Sequence, residues 1–315
     1  MNANGKIDYT QQVKVLFERQ LSDWATVRTN FDALTRVSTR TFCVGGSKIV
    51  LQFNPERIRS SAASVDKASL KARKCFLCCE NQPAEQEKIL WHDAYKIQVN
   101  PYPIFPRHLT IASMTHTPQL IAGRIGHMLD LAADLTDYVL FYNGPKCGAS
   151  APDHMHFQAG NKGFMPVVDE VAAANRQEVY SKDSCTVSYV DSLARRLFVI
   201  DADEAVDAQV AFEALQQAMR KGDDEQEPMQ NLLCWHEGGQ YHIMVFPRVR
   251  HRPSCYGQGE GQFTLSPASV DMGGVIAVPV ERDFRNLTPE IVQSVFDELC
   301  ADDAYAQEII SKLNQ

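Results

Sequence analysis

At 315 residues and 44% hydrophobic composition, the chain can bury one large core or two smaller ones, since domains typically run about 100–200 residues. A net charge of −8 argues against a nucleic-acid backbone as the main partner, which needs clustered cationic surface. Local arginines and a cradle of backbone N–H groups remain able to hold a small anion. No stretch approaches the roughly 18 apolar residues of a membrane span, and Met1-Asn-Ala-Asn-Gly-Lys6 lacks a signal peptide's apolar core, so no membrane partner and a cytoplasmic location are expected.

Between residues 9 and 33, Val13, Leu16, Leu21, Trp24 and Val27 recur close to the helical period, which predicts one or two amphipathic helices. Residues 42–53 read as a hairpin turning at Gly45-Gly46, with a polar, basic exit through Arg57 and Arg59. A charged stretch, 66–74, leads into the knuckle Cys75-Phe-Leu-Cys78-Cys79. Residues 89–100 read as a strand pair, 101–107 as a rigid proline-punctuated loop and 108–113 as a further strand. The apolar face of Ile121, Ile125, Met128, Leu129 and Leu135 predicts a helix over 119–136. A strand over 138–143 follows.

A second half begins near Val179, with strands over 187–190 and 196–201, a helix over 204–219, a solvated loop over 221–228 and a hairpin over 229–247. A strand over 274–278 and helices over 288–299 and 303–313 close the chain. Trp91-His92-Asp93 echoes Trp235-His236-Glu237, and Phe105-Pro-Arg107 echoes Phe246-Pro-Arg248, a faint sign of internal duplication. The nine cysteines are an odd number, and Cys43, Cys185, Cys234 and Cys300 stand alone in apolar segments, which reads as reduced thiols.

The segment richest in chemistry is Cys147-Gly-Ala-Ser150-Ala-Pro-Asp-His154-Met-His156-Phe-Gln158. On a strand, His154, His156 and Gln158 fall on one face. One imidazole could then act as a nucleophile, its neighbour be fixed by a metal or hydrogen bond, and the amide hold a phosphoryl oxygen without donating an acid's proton. By spacing alone, an ordinary sheet edge with two partly buried histidines accounts for the pattern equally well. Cys75 and Cys78 have the spacing that binds a tetrahedral Zn²⁺ from one knuckle, and a complete site needs two further ligands.

The block from the strand before it, ending Asn143-Gly-Pro-Lys146, through Gln158 resembles the active-site segment of the histidine triad (HIT) superfamily. Within it the segment resembles the transferase branch, which includes galactose-1-phosphate uridylyltransferase, diadenosine tetraphosphate phosphorylase and GDP-galactose phosphorylase. That branch has a glutamine where hydrolytic members have a third histidine. The likeness covers residues 53–166, more faintly 232–284, where Gly273 to Phe284 looks more like the phosphorylases; Met155 replaces the proline usual between the uridylyltransferase histidines.

The resemblance implies an α+β fold of two HIT-like halves, 1–178 and 179–315, with helices packed on antiparallel sheets. It implies His156 as the nucleophile on a nucleotide's α-phosphorus, with Gln158, Asn143, Ser150 and the N–H groups of Gly148 and Ala149 on the phosphoryl oxygens. Arg57 and Lys146 match basic positions near the phosphates, although each also reads as a surface cation capping a loop. One structural Zn²⁺ on Cys75, Cys78, His108 and His154 is implied, and the uridylyltransferases' second metal motif is broken here at His242-Ile243-Met244. The expected function is transfer or phosphorolysis on a nucleotide-sugar or dinucleoside polyphosphate through a nucleotidyl-histidine. A HIT-type nucleotide hydrolase and a non-catalytic nucleotide-binding protein are the alternatives. Members of that branch often pair, so a homodimer is among the states the resemblance allows.

Overall fold

The computed structural model describes residues 7–57 and 67–315; the N-terminal segment Met1 to Lys6 and the basic exit at Arg59 lie outside the described residues. Asp8 caps α1 (Tyr9–Asp23) by accepting from the Gln11 N–H, and the extended Trp24 separates it from α2 (Ala25–Leu34). The hairpin β1 (Ser38–Val44) and β2 (Ser47–Phe53) turns at Gly45 and Gly46, whose φ of 49° and 79° suit a two-residue turn. After α3 (Lys67–Ala72) come β3 (Ile89–Trp91), β4 (Tyr95–Val99), β5 (His108–Ser113), α4 (Ile125–Asp134), β6 (Tyr138–Asn143) and β7 (His156–Asn161). The chain continues through α5 (Pro166–Ala173), β8 (Gln177–Lys182), β9 (Cys185–Val190), β10 (Leu197–Ala202), α6 (Ala205–Ala218), β11 (Gln230–Glu237) and β12 (Gln240–Pro247). It ends with α7 (Ser269–Met272), β13 (Val275–Val278), α8 (Glu281–Asn286), α9 (Pro289–Leu299) and α10 (Asp303–Leu313).

β3 to β12 form one ten-stranded sheet, ordered β3-β4-β5-β7-β6-β11-β12-β10-β9-β8, and its neighbours pair antiparallel. The expected α+β class is therefore the observed one. Read inward from either edge, the order is the same: two outer hairpin strands, a third, then the fifth and the fourth. α4 links the third strand to the fourth in one run, as α6 does in the other. The runs meet where β6 pairs β11, from Asn143↔Asn231 to Leu140↔Cys234. Each half thus shares one continuous sheet rather than building its own.

Period-two alternation divides the core between the faces of this sheet. Leu140, Tyr142, Leu232, Cys234, Ile243 and Val245 face α1, α2, α4, α6 and α10. Val139, Phe141, Leu233, Trp235, Met244 and Phe246 face α5, α9 and a three-stranded sheet in which β13 lies parallel to β2. β6 is buried along its whole length. Among the described residues no helix is long and apolar enough to cross a membrane.

Two sequence expectations need correction. The helix expected from Gln119 starts only at Ile125, because Gly123 takes φ +70° and the preceding residues bond elsewhere: Ile121 N–H to Glu227 Oε2 at 2.7 Å, and the Gln119 side chain to the main chains of Asn143 and His156. The duplication echo was also out of register. By topology the β3–β4 turn, with His92 and Asp93 at positive φ, corresponds to the β8–β9 turn, with Asp183 at positive φ, whereas Trp235 to Glu237 ends β11. The counterpart of the long β6–β7 connection, residues 144–155, is the tight turn at Gly238-Gly239. Only the first run carries the motif loop.

Candidate active site and metal centre

β6 and β7 are paired from Tyr138↔Asn161 to Phe141↔Gln158 and then part. The fully buried side chain of Gln119 bridges the gap. Its Nε2 donates to the carbonyls of Asn143 (3.0 Å) and His156 (2.9 Å), and its Oε1 accepts from the His156 N–H (2.7 Å). Where the strands part, a cavity of about 730 Å³ opens between the main sheet and β13. Arg57, Asn143, Gly148, Ala149, Ser150, His156 and Gln158 all line it. Lys146 does not: its Nζ lies 2.9 Å from Glu225 Oε1, on the surface.

His156 Nδ1 lies 2.8 Å from the His154 carbonyl. A carbonyl only accepts, so the proton is on Nδ1 and Nε2 keeps its lone pair. Burial, the largest influence, pushes this imidazole down to about 4, so it is neutral near pH 7.

His108 has a different place from the one expected. The Ile104 N–H donates to its Nδ1 (3.2 Å), so its proton is on Nε2, which donates to Gln158 Oε1 at 3.0 Å. Burial foremost, then the charge of Arg57, pushes His108 down to about 3. With both nitrogens occupied, it is no metal ligand. It fixes Gln158 instead: the amide oxygen is turned back toward His108 and Asn100, which leaves the Nε2 donor for the cavity.

The fourth member of the group that could hold a metal ion is His116. Cys75, Cys78, His116 and His154 bring their ligand atoms within 4.8 Å of one another. Cys75 Sγ is 3.3 Å from His154 Nδ1, Cys78 Sγ 3.5 Å from the same atom and 3.2 Å from His116 Nδ1. A tetrahedral site with ordinary Zn–S and Zn–N bonds has sulfur–nitrogen edges of roughly 3.6 Å, so the donor set fits. Each Nδ1 of the cluster is backed from its other nitrogen: His154 Nε2 donates to the Ser113 carbonyl (2.9 Å), and His116 Nε2 lies 3.8 Å from Asp153 Oδ2. Buried Lys96 anchors the knuckle from β4, donating to the Leu77 carbonyl and Gln82 Oε1. His242, from the broken second motif, stacks on Trp235 and pairs with Asp201.

The loop 144–150 passes under Ala268, and a Cβ on Gly148, at φ +92°, would stand 2.4 Å from the Ala268 Cβ. Arg57 Nη1 donates to the Tyr102 carbonyl (2.7 Å), and Arg73 Nη2 holds the Ser150 carbonyl (2.8 Å). Asp271, which burial pushes up to about 6, faces the same cavity. Sequence reading missed Gln119, Arg73, His116 and Asp271. For His116 a signal existed: it is the next histidine after a strand read as ending at Ser113, at the end nearer the His154 loop. The other three lie in stretches with no motif.

A family model described as a domain of unknown function, DUF4922, matches residues 16–161. No curated protein is significantly similar to the chain. Among solved structures, yeast Ap4A phosphorylase Apa2 is similar over 94% of this chain and 95% of its own, at 17% identity and a TM-score of 0.58. Its complex with Ap4A gives a TM-score of 0.64 over 92% and 96%, again at 17% identity. Its complex with AMP gives 0.57 over 87% and 94%, at 17% identity. At that identity the likeness establishes a shared fold along nearly the whole chain.

Proposed function

We propose that the protein is a nucleotidyltransferase of the HIT transferase type, a phosphorylase or hexose-phosphate transferase, acting on a dinucleoside polyphosphate or nucleoside-diphosphate sugar through a nucleotidyl-histidine. The carrying observation is the neutral imidazole of His156, with its Nε2 lone pair left free beside two amide donors in a cavity of about 730 Å³, a size ordinary for a small-molecule site. The fold shared with a phosphorylase crystallised with Ap4A and with AMP supports the same reading.

In the first step His156 Nε2 forms a bond to the α-phosphorus, and the bond to the bridging oxygen breaks, its electron pair leaving with the phosphate ester. The imidazolium that results keeps its Nδ1 proton on the His154 carbonyl. In the second step an oxygen of inorganic phosphate or a sugar phosphate attacks, and the P–N pair returns to Nε2. Gln158 Nε2 and the Asn143 amide donate to the non-bridging oxygens as charge builds on them. Gln158 cannot protonate a leaving group, so departing groups must already be stable anions, which favours transfer over hydrolysis.

Two thiolates and two imidazoles suit Zn²⁺; Cys75, Cys78, His116 and His154 would hold one ion, whose part is to lock the main chain two residues from the nucleophile. On this reading residues 1–178 carry the chemistry, and 179–315 supply the opposite wall through Thr264, Ser266, Val270 and Val275. The test is turnover of dinucleoside polyphosphates and nucleoside-diphosphate sugars with and without phosphate or hexose 1-phosphate. Turnover that depends on acceptor is expected. Release of nucleoside monophosphate at a rate indifferent to acceptor would mark a hydrolase, and binding without turnover a nucleotide-binding protein.

A further inference from the structure

Asn143 and Asn231 face each other across the β6–β11 joint, where the two five-stranded runs meet. Asn231 is fully buried and Arg248 is 3% exposed. Arg248 Nη1 donates to Asn231 Oδ1 at 2.6 Å. A guanidinium has donors only, so that atom is the amide oxygen and the other is the nitrogen. Asn231 Nδ2 then donates to Asn143 Oδ1 (3.1 Å) and to the Cys147 carbonyl (2.8 Å). A second donor, the Ser269 N–H, reaches Asn143 Oδ1 at 2.8 Å. Turning the Asn143 amide over would set its NH2 against both. Its Nδ2 has no hydrogen-bond partner among the described residues, and Asn143 lines the cavity.

Resting on the proposed function, we propose that Asn231, fixed by Arg248, is a positioning residue: it sets the Asn143 amide so that its NH2 faces the phosphoryl oxygens and pins the motif loop at Cys147. The C-terminal run thereby takes part in the chemistry without touching substrate. His108 does the same for Gln158 from the opposite side, so both amides present nitrogen to an anion. The groups behind the site thus turn their donors toward the two amide oxygens, which leaves the amide nitrogens for an anion.

Asn231→Asp tests this. The carboxylate keeps Arg248 but puts oxygen against oxygen at Asn143 and Cys147, leaving the Ser269 N–H as the one remaining donor to Asn143 Oδ1, so the amide is no longer held with its NH2 toward the cavity. Single-turnover labelling of His156 by nucleotide is expected to slow by about 100-fold, the usual cost of one lost oxyanion donor, with nucleotide affinity changed by less than about threefold. Asn143→Ala should slow labelling similarly, and Asn231→Asp added to it should cost less than about threefold more, because the two act through one amide. Multiplicative losses, or an Asn143→Ala variant labelled at the wild-type rate, would overturn the relay and leave the histidine intermediate standing. Should wild type form no adduct with any nucleotide, the side-chain amide of Asn143 in the wild-type ¹⁵N spectrum, assigned against Asn143→Asp, decides the geometry. NH2 protons that exchange freely with cavity water uphold the orientation, and NH2 protons protected from exchange refute it. That measurement needs neither turnover nor a folded Asn231 variant.

Discussion

A histidine that accepts at Nδ1 can donate only through Nε2, and this limits what His108 can do. Its two bonds, from the Ile104 N–H and to Gln158 Oε1, leave no lone pair for a metal. Protonating it would put a proton on Nδ1 against the Ile104 N–H, within a buried setting that already holds the imidazole down to about 3. The ordinary histidine value is higher, about 6.5, so between the two the unfolded chain takes up a proton that the folded chain refuses. His108 therefore contributes stability that is complete above about pH 6.5 and is lost as pH falls toward 3. Denaturant unfolding between pH 6 and pH 4 should show wild type losing up to about 1.4 kcal/mol per pH unit more than His108→Asn. Parallel slopes would mean that His108 titrates normally. The sequence displayed His156 and Gln158 through their spacing, yet it could not tell which of two nearby histidines, His108 or His116, turns toward the knuckle. That choice depends on the Ile104 N–H, which holds His108 from the other side, and a backbone group carries no residue signature.

At the level of elements, strands were easier to read than connections. Apolar runs placed β6, β10, β11 and β12 to within a few residues, because these strands are buried on both faces of the sheet, one side chain in two against each core. The failed start of α4 involves a segment whose polar groups bond across the chain, as Gln119 does to residues 24 and 37 positions away. The knuckle was legible, and the fourth candidate ligand was assigned to His108 where the structure brings His116. Cys78→Ser and His116→Ala should each lower zinc content from about one per chain and reduce stability together, since metal binding and folding are coupled. His108→Asn and His156→Ala should keep the metal. A full zinc complement in His116→Ala would return the fourth position to another residue. Gly148→Ala tests the motif loop: a side chain at φ +92°, 2.4 Å from the Ala268 Cβ, should cost on the order of 2 kcal/mol, measurable as a lower melting temperature. An unchanged melting temperature would show that the loop can move away from Ala268.

Over the whole molecule, the joint between β6 and β11 makes the two runs of strands one body. Tyr142 and Leu232, facing the same core as α4 and α6, leave no seam along which 1–178 and 179–315 could open separately. Far-UV and near-UV signals should therefore report one coincident thermal transition, whereas two separated transitions would show halves that unfold independently. The repeat showed in the sequence only as a faint echo, out of register, because the two runs share topology and alternation rather than residues, and only one has the long loop that carries His154. The cavity reflects that difference, lined by the motif loop, His156 and Gln158 from one run and by Thr264, Ser266, Val270 and Val275 from the other part of the chain. The most direct test of this account is intact-mass and peptide analysis of the protein quenched after mixing with dinucleoside polyphosphates or nucleoside-diphosphate sugars in the absence of acceptor. An acid-labile nucleotidyl group on His156, absent from His156→Ala and discharged by added phosphate or sugar phosphate, is the predicted result. An adduct that persists in His156→Ala, or turnover with no adduct at any time, would contradict it.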